Sequence, residues 1–166
     1  TMQAEIITIG DELLIGQVVD TNSAWLGRTL GEDGIKVTQI TSVQDDADQI
    51  ARAVNEALAR VSIVLVTGGL GPTRDDITKH TLAELFGMRL VRDEQVYETV
   101  RRQLAVRGIA FNELNRGQAL VPDGCTVLPN RNGTAPGMWF ERGGKILVSM
   151  PGVPFEMKAL VTDEVL

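Results

Sequence analysis

The chain has 166 residues, 16 basic and 22 acidic, for a formal net charge of −6, which argues against a broad nucleic-acid footprint or an anionic membrane surface. Its length suits a single domain spanning residues 1–166 with a sizeable core. One cysteine, Cys125, rules out internal disulfides and multi-thiolate zinc sites, and with no membrane-length apolar run or secretion signal a reducing cytoplasm fits best.

Glu5 to Ile9 reads as a first strand, ended by Gly10 and followed by a long loop that carries Asp11 and Glu12. Asp20, Thr21 or Asn22 is placed to cap a helix in which Leu26 and Leu30 share a face, and Gly34 ends it. Lys36 to Ser42 reads as a second strand. The acidic stretch Asp45-Asp46 then opens a helix with Ile50, Val54, Ala57, Leu58 and Val61 at helical spacing.

The central stretch runs from Val61 through an apolar strand to Thr67, then Gly68-Gly69-Leu70-Gly71-Pro72-Thr73-Arg74, and into a helix starting at Asp75-Asp76. Strand, glycine loop and helix start together form an anion site, because glycines admit a close ligand and the first helical NH groups lack internal partners. Two acids beside a phosphate repel it unless a cation lies between them. With Leu82, Leu85 and Phe86 turned inward and Gly87 closing the helix, the order is βαβαβα. Short connections make a parallel sheet covered on both faces the economical solution, with ligands at the strands' C-terminal edge. The loops at Gly10, Val43 and Gly68 would meet there.

Val96, Val100 and Leu104 mark a further helix ending near Gly108, and a short helical piece is expected around Asn115 to Leu120. Pro122-Asp123-Gly124 is a turn, Thr126 to Leu128 a strand, and Met138–Glu141 with Lys145–Ser149 a hairpin over Arg142-Gly143-Gly144. Gly133 and Thr134 lie in a small-residue segment richer than a turn demands, a second candidate ligand loop. Pro151-Gly152 precede a helix opened by Pro154, and the chain stops inside that helix, which reads as a fragment of a longer protein with a further C-terminal domain. His80, Cys125 and the aromatic pair Trp139-Phe140 have plainer structural readings: a helix histidine, a turn cysteine, and core or interface rings.

Four strings in order, GDELLIGQVVDTNS from Gly10, TGGLGPTRDDIT from Thr67, NRNGTAPGMW from Asn130 and MPGVPFEM from Met150, resemble the N-terminal domain of the competence/damage-inducible CinA family, of the molybdopterin-binding (MoaB/MogA-like) fold. The resemblance implies a three-layer α/β/α sandwich with a mostly parallel sheet, forming homo-oligomers. It further implies a ligand that is a nucleotide diphosphate or a phosphorylated pterin, and metal-dependent hydrolysis of ADP-ribose to AMP and ribose 5-phosphate. Aspartates of related adenylyltransferases match Asp76 and Asp45.

The expected catalytic set is therefore Asp76, Asp45 and Asp75. Mg²⁺ would sit on Asp76, with Asp45 or Asp11 as further ligands, and the attacking water would be served by Asp75, Asp45 or Glu12. Gly10, Asp11, Glu12, Asn22, Gly68, Gly69, Leu70, Gly71, Pro72, Thr73, Gly133, Thr134, Pro151 and Gly152 are the expected phosphate- or nucleotide-binding residues. Two alternatives stand beside hydrolysis: a module that binds or adenylates molybdopterin, and a non-catalytic nucleotide-binding domain.

Overall fold

A computed structural model describes residues 2–10, 21–68, 75–108, 119–130, 132–133 and 135–165; for residues 21, 75, 76 and 155 it describes the backbone alone. In chain order the elements are β1 (Met2–Ile9), α1 (Thr21–Glu32), β2 (Ile35–Val43), α2 (Ala47–Arg60), β3 (Ile63–Gly68), α3 (Asp75–Leu85), β4 (Leu90–Arg92) and α4 (Glu94–Val106). They continue with β5 (Leu120–Pro122), β6 (Thr126–Leu128), β7 (Gly137–Arg142), β8 (Lys145–Met150) and α5 (Pro154–Leu160), which runs into a π-helical turn at Val161–Val165.

Six strands form one sheet in the order β2-β1-β3-β8-β7-β6. β2, β1, β3 and β8 are mutually parallel, while β7 and β6 add antiparallel at one edge. β1 is buried from Ala4 to Ile9 on both faces, as a central strand of a two-sided sheet must be. Its buried Glu5 is held by a bidentate pair with Arg60, at 2.7 and 2.8 Å.

Alternate residues divide the core. Ile7, Ile9, Val64, Val66, Leu147 and Phe140 pack under α2 and α3 through Ile50, Val54, Leu82 and Phe86. On the opposite face Ile6, Leu65, Val148 and Met150 pack under α1 and α5 through Leu26, Leu30, Met157 and Leu160. The result is the expected α/β/α sandwich. Because β1 leads through α1 to β2 while β3 leads the other way, the connections diverge between β1 and β3. Sheets of this type open a ligand crevice at such a point.

The hairpin expected before the last helix is present, and Gly143 and Gly144, at φ +59° and +78°, supply the left-handed pair that a two-residue turn between twisted strands requires. Leu120 corrects one expectation: it opens β5, antiparallel to β4, rather than closing a helix. Residues 115–118 of that expected helical piece lie outside the described residues. The β4–β5 ribbon packs with α4 in a third cluster of Val96, Val100, Leu104, Ala119 and Val121. No described helix is long and apolar enough to cross a membrane.

Candidate functional site

The parallel register places the ends of four strands level with one another. Ile9 stands opposite Val43 on one side and Gly68 on the other, and Thr67 stands opposite Met150. At the usual interstrand spacing this row, from Asp45 through Gly10 and Gly68 to Pro151, spans about 14 Å. The convergence read from the sequence is therefore a matter of register.

Gly68 is the tightest point of the row. Its φ is +97°, and a Cβ built there would stand 2.2 Å from the Ile9 carbonyl oxygen. Gly152 approaches from β8: a Cβ on it would lie 3.1 Å from the Gly68 Cα. Three backbones meet where no side chain fits between them.

The surrounding polar contacts hold them. The Thr67 hydroxyl donates to the Pro151 carbonyl at 3.1 Å, the Gly10 amide donates to Val43 at 3.1 Å, and the Asn22 side-chain amide donates to the Gly152 carbonyl at 2.9 Å. Asn22 thus joins two motifs 130 residues apart, while its own Oδ1 is buried without a hydrogen-bond partner among the described residues. Gly10, Asn22, Gly68, Pro151 and Gly152, all expected at the site, are brought together here.

α2 and α3 lie side by side on one face of the sheet, and both begin at this edge. Asp46 is the N-cap of α2, its Oδ2 accepting from the Gln49 amide at 3.0 Å, so this acid has the ordinary structural role. Asp45 is half-buried, with Oδ1 shielded from solvent. Asp75 and Asp76 open α3, which follows β3, a strand two interstrand spacings, about 10 Å, from the β2 that precedes Asp45. The acids share a layer of the molecule.

Sequence reading passed over Lys79. It is 4% exposed, within the first two turns of α3, three and four residues after the paired aspartates and therefore on their side of the helix. A buried lysine needs partners, and Lys79 is not without one. The available signal was that spacing. His80 next to it is exposed.

The described part of the second candidate loop is turned inward. Asn130 Nδ2 donates to the Ala135 carbonyl at 2.8 Å and to Glu156 Oε1 at 2.7 Å, and its Oδ1 accepts from the Asn132 amide at 3.0 Å. Gly133 lies directly under that carboxylate, where a Cβ would stand 1.9 Å from Glu156 Oε1. The small residue is thus explained by contact with α5. Beside the loop, a cavity of about 570 Å³ opens toward α4, lined by Val96, Thr99, Val100, Val127, Pro136 and Gly133.

Phe140 is fully buried and stacked on Phe86, with centroids 4.8 Å apart, so the core reading of this ring holds. Trp139 packs partly buried on the α1/α5 side and donates to Glu141 at 2.8 Å. Burial, followed by the negative charges of Asp93 and Asp123, pushes the Cys125 thiol up to about 11, which leaves it protonated and unsuited to nucleophilic work. Asp11, Glu12, Gly69, Leu70, Gly71, Pro72, Thr73 and Thr134 lie outside the described residues, as do the side chains of Asp75 and Asp76. Among the described residues no cluster of three or more metal-ligating side chains occurs.

Residues 5–166 match the family model described as "Probable molybdopterin binding domain". A CinA-like protein of Cytophaga hutchinsonii is 52% identical over 160 residues, covering 96% of this chain and 38% of its own length. The chain thus spans about two fifths of that curated relative. The crystal structure of the protein CinA, of unknown function, from Thermoplasma acidophilum superimposes with a TM-score of 0.89 at 37% identity, covering 98% of this chain and 95% of that one. The tungsten cofactor synthesizing protein MoaB from Pyrococcus furiosus shares the fold, with a TM-score of 0.61 at 21% identity over 99% of this chain and 92% of its own. Fold, row of strand ends and sequence agree: the chain belongs to the family of probable molybdopterin-binding domains with the MoaB/MogA-like fold, and within it to the CinA-like proteins.

Proposed function

We propose that this domain hydrolyses the diphosphate bond of a nucleotide, with ADP-ribose cut to AMP and ribose 5-phosphate. The observation that carries this reading is the close meeting of Ile9, Gly68 and Gly152, which holds the start of the glycine loop at the sheet's crevice. The first amides of α3 supply further donors to a phosphate. Lys79 lies buried on the same helix, three and four residues after the paired aspartates.

A divalent ion, Mg²⁺, would find hard oxygens at this edge: the Asp45 carboxylate and the Asn22 Oδ1, which has no hydrogen-bond partner among the described residues, with the two acids that open α3. Asp76, with Asp45 or Asp11, would hold it. When bound, such an ion neutralises phosphate charge and polarises the phosphorus–oxygen bonds.

The protein orients the two phosphates in line along the row of strand ends, and a water oxygen forms the new bond to phosphorus. The anhydride bond breaks, and the bridging oxygen leaves on the second phosphate as a monoester. The water's proton passes to a carboxylate, Asp75, Asp45 or Glu12, and from there to solvent.

A phosphorylated pterin is the second reading, favoured by the 570 Å³ cavity beside the Asn130–Pro136 loop, whose valines and prolines suit a flat ring and whose lining also carries Arg102 together with Asp93, Glu94 and Glu98. Both readings are separated by incubating the protein with ADP-ribose and Mg²⁺ while following AMP by chromatography, beside a pterin-binding titration. AMP release supports hydrolysis. Binding of ADP-ribose without turnover supports a nucleotide-binding module, and pterin binding alone supports the second reading.

A further inference from the structure

β2 is an edge strand: β1 pairs with one side, and among the described residues nothing pairs with the other. It runs for nine residues, IKVTQITSV, with one charge and no proline. Edge strands are ordinarily protected by charges, prolines or bulges. Here the register shift beside Thr38 is the principal such device, and Ile40, in the middle of the strand, is 48% exposed.

The flank of α2 beside this edge carries Asp48, Arg52, Glu56 and Arg60, charges that alternate in sign at four-residue intervals. With Gln39 and Thr41 they line a groove of about 420 Å³. Asp48, Arg52 and Glu56 make no ion pair among the described residues. Arg60 gives its Nε and Nη2 to Glu5 while its side chain stays 43% exposed.

We propose that this edge pairs with the same edge of a second copy, β2 antiparallel to β2 across a two-fold axis, joining the two sheets into one. A two-fold reverses the stripe on α2, so Asp48 meets the partner's Arg60 and Arg52 meets the partner's Glu56. Every charge finds its opposite about a centre at residue 54.

The strand arrives at the same centre independently. Seven residues of helix from Ala47 descend about 10 Å, and three residues of strand back from Val43 descend about 10 Å. That height is Ile40, which then packs against Ile40 of the partner subunit on the opposite face of the joined sheet. Sheet edge, charge order and exposed isoleucine all select one axis. This interface stands independently of the proposed hydrolysis.

Sedimentation velocity over roughly 1–100 µM protein tests it. The expected result is a dimer that weakens with added salt. Arg52→Glu sets like charges against each other twice and raises the dissociation constant at least about tenfold, while the exchange Arg52→Glu with Glu56→Arg restores it. Ile40→Lys abolishes pairing. Circular dichroism verifies the fold of each variant; should Ile40→Lys fail to fold, the exposed charge exchange decides alone. A monomer throughout the range, a dimer unaffected by Arg52→Glu, or a double exchange that fails to restore pairing overturns the proposal.

Discussion

Gly68→Ala probes the packing on which the site is built. At φ +97° an L-residue is strained by about 1–3 kcal/mol. The new methyl would also stand 2.2 Å from the Ile9 carbonyl oxygen, and that oxygen belongs to a strand paired on both sides. Relieving such an overlap by backbone movement costs about 1–3 kcal/mol more. The sum, about 2–6 kcal/mol, lowers a urea midpoint by about 1–3 M at a slope of about 2 kcal/mol per molar.

Fluorescence of Trp25 and Trp139, both packed on the α1/α5 face, follows the unfolding. Gly133→Ala is the control. Its geometric overlap is shorter, 1.9 Å, yet the obstacle is the end of the Glu156 side chain, which can rotate away at the cost of the 2.7 Å bond from Asn130. Gly68→Ala is therefore the more damaging of the two. A midpoint for Gly68→Ala within about 0.3 M of wild type, or a larger loss for Gly133→Ala, would refute the reasoning.

Asp76→Ala should abolish Mg²⁺-dependent AMP release from ADP-ribose, by about 100-fold or more, while circular dichroism remains that of the folded protein; undiminished turnover removes Asp76 from the mechanism. Phe140→Ala should cost about 3–5 kcal/mol by emptying a fully buried site stacked on Phe86, and calorimetry showing a loss under about 1 kcal/mol would contradict the core role assigned to this ring. Cys125 supplies a pH test. Because its folded-state thiol is raised from 9.0 to about 11, its contribution is present below pH 9 and is lost as pH rises through 11. Wild type should therefore lose stability between those values more steeply than Cys125→Ala, and parallel pH profiles would contradict the assigned burial.

The first three βα units were legible because β1 and β3 are apolar runs, β2 alternates, and each helix repeats its apolar positions at helical spacing. The β4–β5 ribbon was not legible. Three-residue strands carry no readable period, and Leu90 finds Pro122 across 32 positions of chain. Leu120 consequently looked helical by its neighbours.

The glycines and acids of the site were visible as local chemistry. Which of them touch was not. Gly133 looked like a ligand loop, and the packing with α5 gives it a structural cause. Lys79 had no local mark of burial, since a lysine on an amphipathic helix is exposed or covered according to what packs beside it.

By itself the sequence determined the order of the first three βα units, the parallel character of their strands, the glycine-rich stretch after β3 and the acidic starts of two helices, because backbone propensity and periodicity act over a few residues. Tertiary structure alone decided that Gly152 closes on Gly68, that Asn22 clamps it, and that β2 is left at an edge beside an alternating charge stripe. Those outcomes depend on strand order and register, which arise from long-range pairing that no short window of residues encodes.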